Sequence, residues 1–238
     1  TDDLVCLGIF GPKSRNLMSN ISKDDFSNEI LKFSTGKFVN IGSKKVWVQR
    51  LSYVGELGYE IYIDNKDALE IYELIMKEGK NHNLSHCGSH AMDTMRMESG
   101  FLHWGHDISP EENQYEAGLN FAISYKKGIN FIGKEKLIKI KDKKKNKKFI
   151  MLSLSNSEPG NPLLLHEEPI YLDNKIIGRT TSGNYSFNYK KNMSFGYVNT
   201  SYTIKELINK KLYIEVEKKL YPVIVETTPL KDKHTKFL

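Results

Sequence analysis

The stretch RLSYVGELGYEIYI, residues 50–63, predicts a β-hairpin that decides the arrangement of the surrounding sheet. Two apolar segments flank a connection that holds Gly55 and Gly58. Successive side chains of a strand point to opposite faces. One face of the second strand therefore carries Tyr59, Ile61 and Ile63, and the other carries Glu60, Tyr62 and Asp64. Tyr53, at the predicted end of the first strand, is expected to lie close to the face that carries Glu60.

This pattern has two interpretations. In the first, the hairpin is half-buried and Glu60 faces water, as is common in antiparallel sheets. In the second, the face around Glu60 is the wall of a ligand site. A carboxylate accepts two parallel N–H donors from the edge of a heterocycle, and aromatic neighbours flank a flat ring. The pattern alone leaves both interpretations open.

The rest of the chain predicts an α+β domain followed by a small, nearly all-β domain. Apolar periodicity predicts strands over 4–10, 37–42, 45–53 and 121–125, and helices over 66–79, 89–99 and 132–140. After residue 148, six short strands alternate with Gly, Asn and Pro turns, which is typical of a small barrel or sandwich. We therefore predict a first domain over 1–138, a lysine-rich linker over 139–148 and a C-terminal β-barrel over 149–238.

Composition favours a globular protein of a reducing compartment. The 238 residues carry 35 basic and 29 acidic side chains, for a net charge of +6. The lysines concentrate in KIKDKKKNKK (139–148), which lacks arginines and interleaved aromatics, so we interpret it as a solvated linker and predict no nucleic-acid partner. Cys6 and Cys87 lack CxxC spacing, and no segment has the length of a membrane span. These features predict a cytoplasmic location and no membrane partner.

The histidine patterns do not predict a metal site. His82, His86 and His90 are spaced by four, but Asn81, Asn83 and Gly88 interrupt the helix that such a site requires. His103 and His106 are two residues in a loop-like stretch and predict no zinc site either. Motifs of the GxSxG, HExxH, P-loop and dinucleotide-binding types are absent from the sequence.

Several motifs, in the same order, resemble the tetrahydrofolate-binding aminomethyltransferase superfamily. They are SYVGELGYE (52–60), MDTMRMESGFLHWGHDISPEENQYEAGLNFAI (92–123), FIGKEKL (131–137), GRTTSGNYS (178–186), FGYV (195–198) and YPVIVETTPL (221–230). Members of this superfamily include the glycine-cleavage aminomethyltransferase and the C-terminal halves of dimethylglycine and sarcosine dehydrogenases. HWGHDI followed by EAGL is more similar to the dehydrogenase branch.

The resemblance implies tetrahydrofolate as the cofactor and assigns its binding residues. Tyr53 matches the tyrosine of the SYxGExGxE motif, and Glu60 matches the glutamate that holds the pterin edge. Tyr62 and Phe121 match two further aromatic positions, and Ile61 is included between Glu60 and Tyr62. With the resemblance, the interpretation of the hairpin as a ligand wall is favoured.

Two departures from the family pattern bear on the reaction. Met92 occupies the position of an arginine that contacts folate in the glycine-cleavage enzymes. The family's catalytic aspartate lies upstream of the segment with which this sequence opens, and Asp2 and Asp3 stand in a different motif context. We therefore expect a fragment, N-terminally incomplete, with no catalytic residue in this chain, and FAD only if an upstream domain exists.

The predicted function is the tetrahydrofolate-binding, one-carbon transfer part of a sarcosine or dimethylglycine dehydrogenase-like oxidative demethylase, which forms 5,10-methylenetetrahydrofolate. The predicted partners are folate, a one-carbon donor derived from an N-methyl amine, and an upstream flavin domain or subunit. Two alternatives stay open: a stand-alone folate-dependent aminomethyl- or methyltransferase, and a non-catalytic regulatory relative.

Overall fold

The structure is a computed structural model that describes residues 2–126, 128–156 and 158–231. These residues form two compact units. The first comprises residues 2–99 together with Lys231, and the second comprises residues 100–230. None of the described helices is both long enough and apolar enough to cross a membrane.

The first unit is a four-stranded antiparallel sheet with helices. Its elements are β1 (Leu4–Phe10), α1 (Ser14–Ile21), β2 (Gly36–Ile41), β3 (Lys44–Gln49), β4 (Gly58–Asp64), α2 (Ala68–Gly79) and α3 (Ser89–Glu98). Short 3-10 turns occupy Asn65–Asp67 and Lys80–His82. The strand order is β1-β4-β3-β2, so the strand that carries Glu60 is central.

One face of this sheet packs into the core with α1 and α2. The buried side chains from the strands are Ile9, Val39, Ile41, Val46, Val48, Tyr59, Ile61 and Ile63, and the helices add Leu17, Met18, Ile71 and Ile75. Ile61 and Ile63 are fully buried, and burial of one such side chain contributes roughly 1.5–3 kcal/mol. The predicted alternation along β4 is confirmed, since Glu60, Tyr62 and Asp64 lie on the other face.

The second unit is built around a closed six-stranded barrel in the order β10-β5-β8-β7-β6-β9. Its elements are a 3-10 turn (Asn120–Ala122), α4 (Lys134–Lys141), β5 (Lys147–Leu154), β6 (Pro169–Leu172), β7 (Lys175–Ser186), β8 (Lys191–Asn199), α5 (Ile204–Leu207), β9 (Leu212–Val216) and β10 (Lys219–Glu226). The interior contains Ile150, Leu152, Val198, Ile214 and Val225, among others. The predicted barrel is therefore confirmed.

Two hairpins of the barrel turn within two residues. Asp173 and Asn174 join β6 to β7 with φ of 50° and 61°, and Glu217 and Lys218 join β9 to β10 with φ of 50° and 63°. Two consecutive left-handed residues match the right-handed twist of the paired strands. Asp and Asn tolerate this conformation well, whereas Glu and Lys adopt it against their preference.

Asp107, in the HWGHDI stretch, is an organising residue of the second unit. Its carboxylate is almost fully buried and accepts hydrogen bonds from the Ser182 hydroxyl at 2.8 Å and the His103 backbone N–H at 2.9 Å. Thr181 of β7 also donates its hydroxyl proton to Asp107. Because a buried carboxylate needs such donors, these bonds hold the HWGHDI stretch against β7.

Two sequence predictions about elements are wrong. β3 ends at Gln49, so Tyr53 lies in the connection between β3 and β4 and not on a strand. Residues 121–125 form no strand; Asn120–Ala122 is a 3-10 turn, and a closed barrel leaves no edge for a further strand to pair with.

The lysine-rich run is a linker only in part. Lys139–Lys141 end α4 and Lys147–Lys148 begin β5, which leaves residues 142–146 as the connection. Lys148 donates a hydrogen bond to the Thr200 carbonyl at 2.6 Å. The predicted domain boundary within 139–148 stays a prediction, since the two compact units divide between Ser99 and Gly100.

Candidate functional site

The face of the first sheet that points away from its core brings together polar and aromatic side chains around Glu60. The strand register places Gly8 of β1 and Gln49 of β3 on either side of Glu60. In the same way, Cys6 and Trp47 flank Tyr62. Side chains directly opposite each other on an antiparallel pair lie about 4.5–5.5 Å apart at Cβ. We call this set of residues on β1, β3 and β4 the Glu60 face.

Glu60 and Tyr62 contact each other directly. The Tyr62 hydroxyl donates a hydrogen bond to Glu60 Oε2 at 2.8 Å. This bond, together with partial burial and the nearby carboxylate charge, raises the pKa of Tyr62 to about 12. Tyr62 therefore stays protonated at neutral pH and holds one carboxylate oxygen. Within the described residues, the other oxygen of Glu60 accepts no hydrogen bond.

Cys6 adds a thiol to the same face. Burial raises its pKa, the negative charge of Glu60 raises it further, and a hydrogen bond with Tyr62 acts in the opposite direction. The net effect is upward, so the thiol is protonated at neutral pH. The Glu60 carboxylate thus lies beside two protonated groups, Tyr62 and Cys6.

Aromatic rings flank the carboxylate, and glycines give them room. A Cβ atom added to Gly8 would lie 2.7 Å from the ring of Phe10. At Gly36 of β2, it would lie 2.6 Å from the indole of Trp47, which also packs edge-to-face on Phe38 at 5.0 Å between ring centroids. Side chains at these two glycines would displace the rings from the face.

Tyr53 lies in the connection of residues 50–57, which we call the Tyr53 loop. The loop is held at its far end, where the Leu57 carbonyl accepts a hydrogen bond from the Gly11 backbone N–H at 2.8 Å. Within the loop, the Ser52 hydroxyl accepts a hydrogen bond from the Glu56 backbone N–H at 3.2 Å. Tyr53 is therefore positioned by a fixed loop and not by strand pairing.

The other two predicted site residues have different surroundings. The Ile61 side chain is fully buried in the core, on the side of the sheet opposite Glu60, so a ligand on the Glu60 face would meet its backbone and not its side chain. Phe121 belongs to the second unit and is 81% exposed. The roles assigned to Ile61 and Phe121 stay predictions.

Sequence reasoning missed Gln49, Trp47, Phe10 and Cys6 as members of the Glu60 face. The alternation of KVWVQ already places Trp47 and Gln49 on one side of β3. Their position beside Tyr62 and Glu60 depends on the register, which is set by the length of the connection. The connection comprises residues 50–57, because the structure ends β3 at Gln49 and begins β4 at Gly58.

The donor and acceptor set of the Glu60 face fits a flat heterocycle that presents N–H groups. Glu60 supplies an acceptor oxygen, Gln49 can donate and accept, and Tyr62, Trp47 and Phe10 supply ring faces and edges. The reduced pterin of tetrahydrofolate has these properties. Met92, at the position where the resemblance expects an arginine, lies on α3 and is 38% exposed.

The histidine residues are arranged as their surroundings in the sequence predict. Asn83, with φ of 58°, follows the 3-10 turn that contains His82, and His90 belongs to α3, so the predicted break in the helix is confirmed. His82 Nε2 lies 3.3 Å from Glu78 Oε1, and His86 Nε2 lies 2.8 Å from the Tyr72 hydroxyl. Among the described residues, no three His, Cys, Asp or Glu side chains are placed to bind a metal ion.

Two family models match the chain. Residues 1–127 match the GCVT N-terminal domain, and residues 147–232 match the glycine cleavage T-protein C-terminal barrel domain. The second match covers the strands of the closed barrel.

Known proteins with similar sequences include dehydrogenases and aminomethyltransferases. Mitochondrial dimethylglycine dehydrogenase of Homo sapiens is 32% identical over 233 residues, which cover 97% of this chain and 26% of that protein. The aminomethyltransferase of Caldanaerobacter subterraneus subsp. tengcongensis is 32% identical over 236 residues, which cover 99% of this chain and 61% of that protein. The chain therefore spans about a quarter of the first relative and about three fifths of the second.

A solved structure supports the same fold. The glycine cleavage system aminomethyltransferase T from Bartonella henselae superposes with a TM-score of 0.82 at 21% identity, over 97% of this chain and 60% of that one. The resemblance inferred from the sequence motifs is confirmed by these matches. The chain belongs to the glycine cleavage T-protein family, whose N-terminal and C-terminal barrel domains it matches in order.

Proposed function

We propose that this chain is the tetrahydrofolate-binding, one-carbon transfer part of an oxidative demethylase that acts on N-methyl amines such as sarcosine or dimethylglycine. The observation that carries the proposal is the Glu60 carboxylate. It lies on the face of a central strand that points away from the core, Tyr62 donates a hydrogen bond to one of its oxygens at 2.8 Å, and aromatic side chains of the neighbouring strands lie on the same face.

The residues of this chain act in the proposal by binding and orientation. Glu60 accepts the N–H donors of the pterin edge, and Tyr62, by donating to Oε2, fixes the rotamer of that carboxylate. Gln49 lies beside Glu60 and adds a second hydrogen-bonding group. Bound tetrahydrofolate supplies the amine nitrogens that take up a one-carbon unit. Fixing the two reactants side by side replaces a bimolecular encounter with an oriented one.

The oxidative step requires an upstream flavin domain or subunit, which is part of the proposal. An N-methyl amine would lose two electrons and a proton to the flavin and become an iminium. Two observations support this branch of the family. A dimethylglycine dehydrogenase matches 97% of the chain, and Met92 stands where the glycine-cleavage pattern has an arginine.

A second candidate is a stand-alone folate-dependent aminomethyltransferase. The match of an aminomethyltransferase over 99% of the chain favours it. The two candidates differ in the full-length protein, which in the first case carries a flavin and in the second does not. A non-catalytic relative that has kept the fold is a third possibility, and it would fail to bind tetrahydrofolate.

The experiment uses the full-length protein that contains this chain, with dimethylglycine or sarcosine as the substrate. Without tetrahydrofolate, the iminium hydrolyses, so each amine oxidised should release one formaldehyde. With tetrahydrofolate, free formaldehyde per amine oxidised should fall well below one. In Glu60→Gln this ratio should return toward one, because the carboxylate acceptor is lost.

Two results would contradict the proposal. A full-length protein that neither holds a flavin nor oxidises these amines would favour the aminomethyltransferase alternative. A flavin enzyme whose formaldehyde yield does not respond to tetrahydrofolate would remove the folate role. Glu73→Gln, an exposed carboxylate on α2, serves as the matched control and should behave as the wild type.

A further inference from the structure

Lys231 follows the barrel in the chain but belongs to the first compact unit. Its side chain is almost completely buried, with 8% exposed, which is unusual for lysine. A buried ammonium group is stable only where several acceptors surround it. The acceptors of Lys231 lie in the Tyr53 loop.

The contacts of Lys231 join it to two parts of the first unit. Its backbone N–H donates to the Glu98 carbonyl at 2.8 Å, which fixes its main chain to the end of α3. Its Nζ donates to Glu56 Oε1 at 2.8 Å and to the Val54 carbonyl at 3.3 Å. Val54 and Glu56 lie one and three residues after Tyr53.

The Val54 carbonyl accepts a second hydrogen bond, from the Ser99 hydroxyl at 3.1 Å. Gly55, with φ of +69°, brings the backbone close to Ser99, and a side chain at that position would collide with the hydroxyl. Val54 is itself 3% exposed. The loop thus turns sharply just after Tyr53, against a support formed by Ser99 and Lys231.

The ammonium group of Lys231 contributes an ion pair to these contacts. Glu56 is about a quarter exposed and forms the ion pair with a buried partner. Loss of the Lys231 ammonium leaves the partly buried Glu56 carboxylate without its charged partner, and it leaves the Val54 carbonyl with the Ser99 hydroxyl alone, which is unfavourable. Val54 directly follows Tyr53 in the chain. We therefore expect a shift of the Val54 backbone to change the position of the Tyr53 side chain.

We propose that Lys231 is a positioning residue that fixes the Tyr53 loop for binding of reduced folate. The proposal rests on the folate-binding role proposed above and extends it to a residue outside the recognised motif. It assigns a task to Glu56, the first glutamate of SYVGELGYE, as the partner of Lys231.

The test uses the full-length protein with three variants. Lys231→Met keeps the length of the side chain and removes its donors, Lys231→Arg keeps the charge and donors, and Lys77→Met changes an exposed lysine on α2. The measurements are the Kd of tetrahydrofolate by anaerobic calorimetry and hydrogen exchange of residues 52–57 compared with residues 71–75 of α2.

We expect Lys231→Met to weaken binding about tenfold or more and to accelerate exchange in residues 52–57 while residues 71–75 keep their protection. Lys231→Arg should recover a large part of the affinity, and Lys77→Met should match the wild type. If Lys231→Arg restores the affinity for tetrahydrofolate, the effect depends on the charge and the donors of residue 231. If only the volume of the side chain mattered, Lys231→Met would bind as well as Lys231→Arg.

Three outcomes would overturn the inference. Lys231→Met could bind as tightly as the wild type with unchanged exchange in the loop. Alternatively, its exchange could rise equally in the loop and in α2 without recovery in Lys231→Arg, which would indicate a general role in stability. If the wild type binds no tetrahydrofolate, the proposed function fails first and the binding role of Lys231 with it.

Discussion

At the scale of single residues, the chemistry of the Glu60 face depends on three neighbouring side chains, Glu60, Tyr62 and Cys6. Glu60 raises the pKa of Tyr62 to about 12 by accepting its hydrogen bond, and it adds to the upward shift that burial imposes on Cys6. Tyr62 and Cys6 are therefore both protonated at neutral pH. A ligand with N–H donors would find its acceptor already oriented by Tyr62.

The pKa of Cys6 gives a prediction for pH dependence. A raised pKa keeps the thiol protonated to higher pH, so the thiolate, which is the reactive form, accumulates later than for an ordinary cysteine. Alkylation of Cys6 by iodoacetamide should therefore reach half of its maximal rate above the ordinary thiol pKa. Glu60→Gln should lower that midpoint because it removes the neighbouring negative charge.

Mass spectrometry of the two cysteine peptides measures both rates in one sample. Cys87, also exposed in the first unit, is the internal control. Its rate should be the same in the wild type and in Glu60→Gln. An unchanged midpoint for Cys6 in Glu60→Gln would show that the carboxylate does not act on the thiol.

At the scale of elements, the side chains of β4 alternate between the core and the Glu60 face, so one strand contributes to both. Tyr59, Ile61 and Ile63 enter the core, whereas Glu60 and Tyr62 lie on the opposite face. This division could be predicted from the sequence because the period of two is visible in GYEIYID. The tight turns of the barrel could be predicted as well, since short polar segments separate paired apolar runs.

Other features depend on contacts that a local pattern does not contain. FAISY has the aromatic and β-branched composition of a strand, but the barrel is closed and offers it no partner. The placement of Gln49 beside Glu60 depends on the register between β3 and β4. Lys231 contacts Glu56, 175 residues earlier in the chain, and nothing in either local sequence indicates this pairing.

Because Ile61 lies in the core, we expect its replacement by alanine to lower the stability of the protein much more than the same change at an exposed isoleucine. Ile61→Ala removes a fully buried side chain from the core and should lower the free energy of unfolding by about 3 kcal/mol. Ile30→Ala, at a position that is 55% exposed, should change it by less than about 0.5 kcal/mol. Urea denaturation measures both values.

Equal effects of the two alanine substitutions would contradict this assignment. So would a loss below about 1 kcal/mol for Ile61→Ala with an unchanged denaturant slope, since the slope reports the surface exposed on unfolding. Either result would mean that Ile61 is not in a close-packed core.

At the scale of the whole molecule, the chain is a member of the glycine cleavage T-protein family that spans part of its relatives. It aligns with about a quarter of a dimethylglycine dehydrogenase and three fifths of an aminomethyltransferase. The α+β unit supplies the Glu60 face, and the second unit supplies the closed barrel. In the proposed function, the remaining part of the full-length protein brings the one-carbon unit, and this chain supplies the groups that orient its acceptor.

The central claim is that the Glu60 face binds reduced folate, and anaerobic calorimetric titration of tetrahydrofolate into the full-length protein tests it most directly. A hydrogen bond to a charged acceptor contributes about 1.5–3 kcal/mol, so Glu60→Gln should weaken binding about tenfold or more. Glu73→Gln should bind as the wild type does. Equal affinities for the wild type and Glu60→Gln, or no binding by the wild type, would contradict the account.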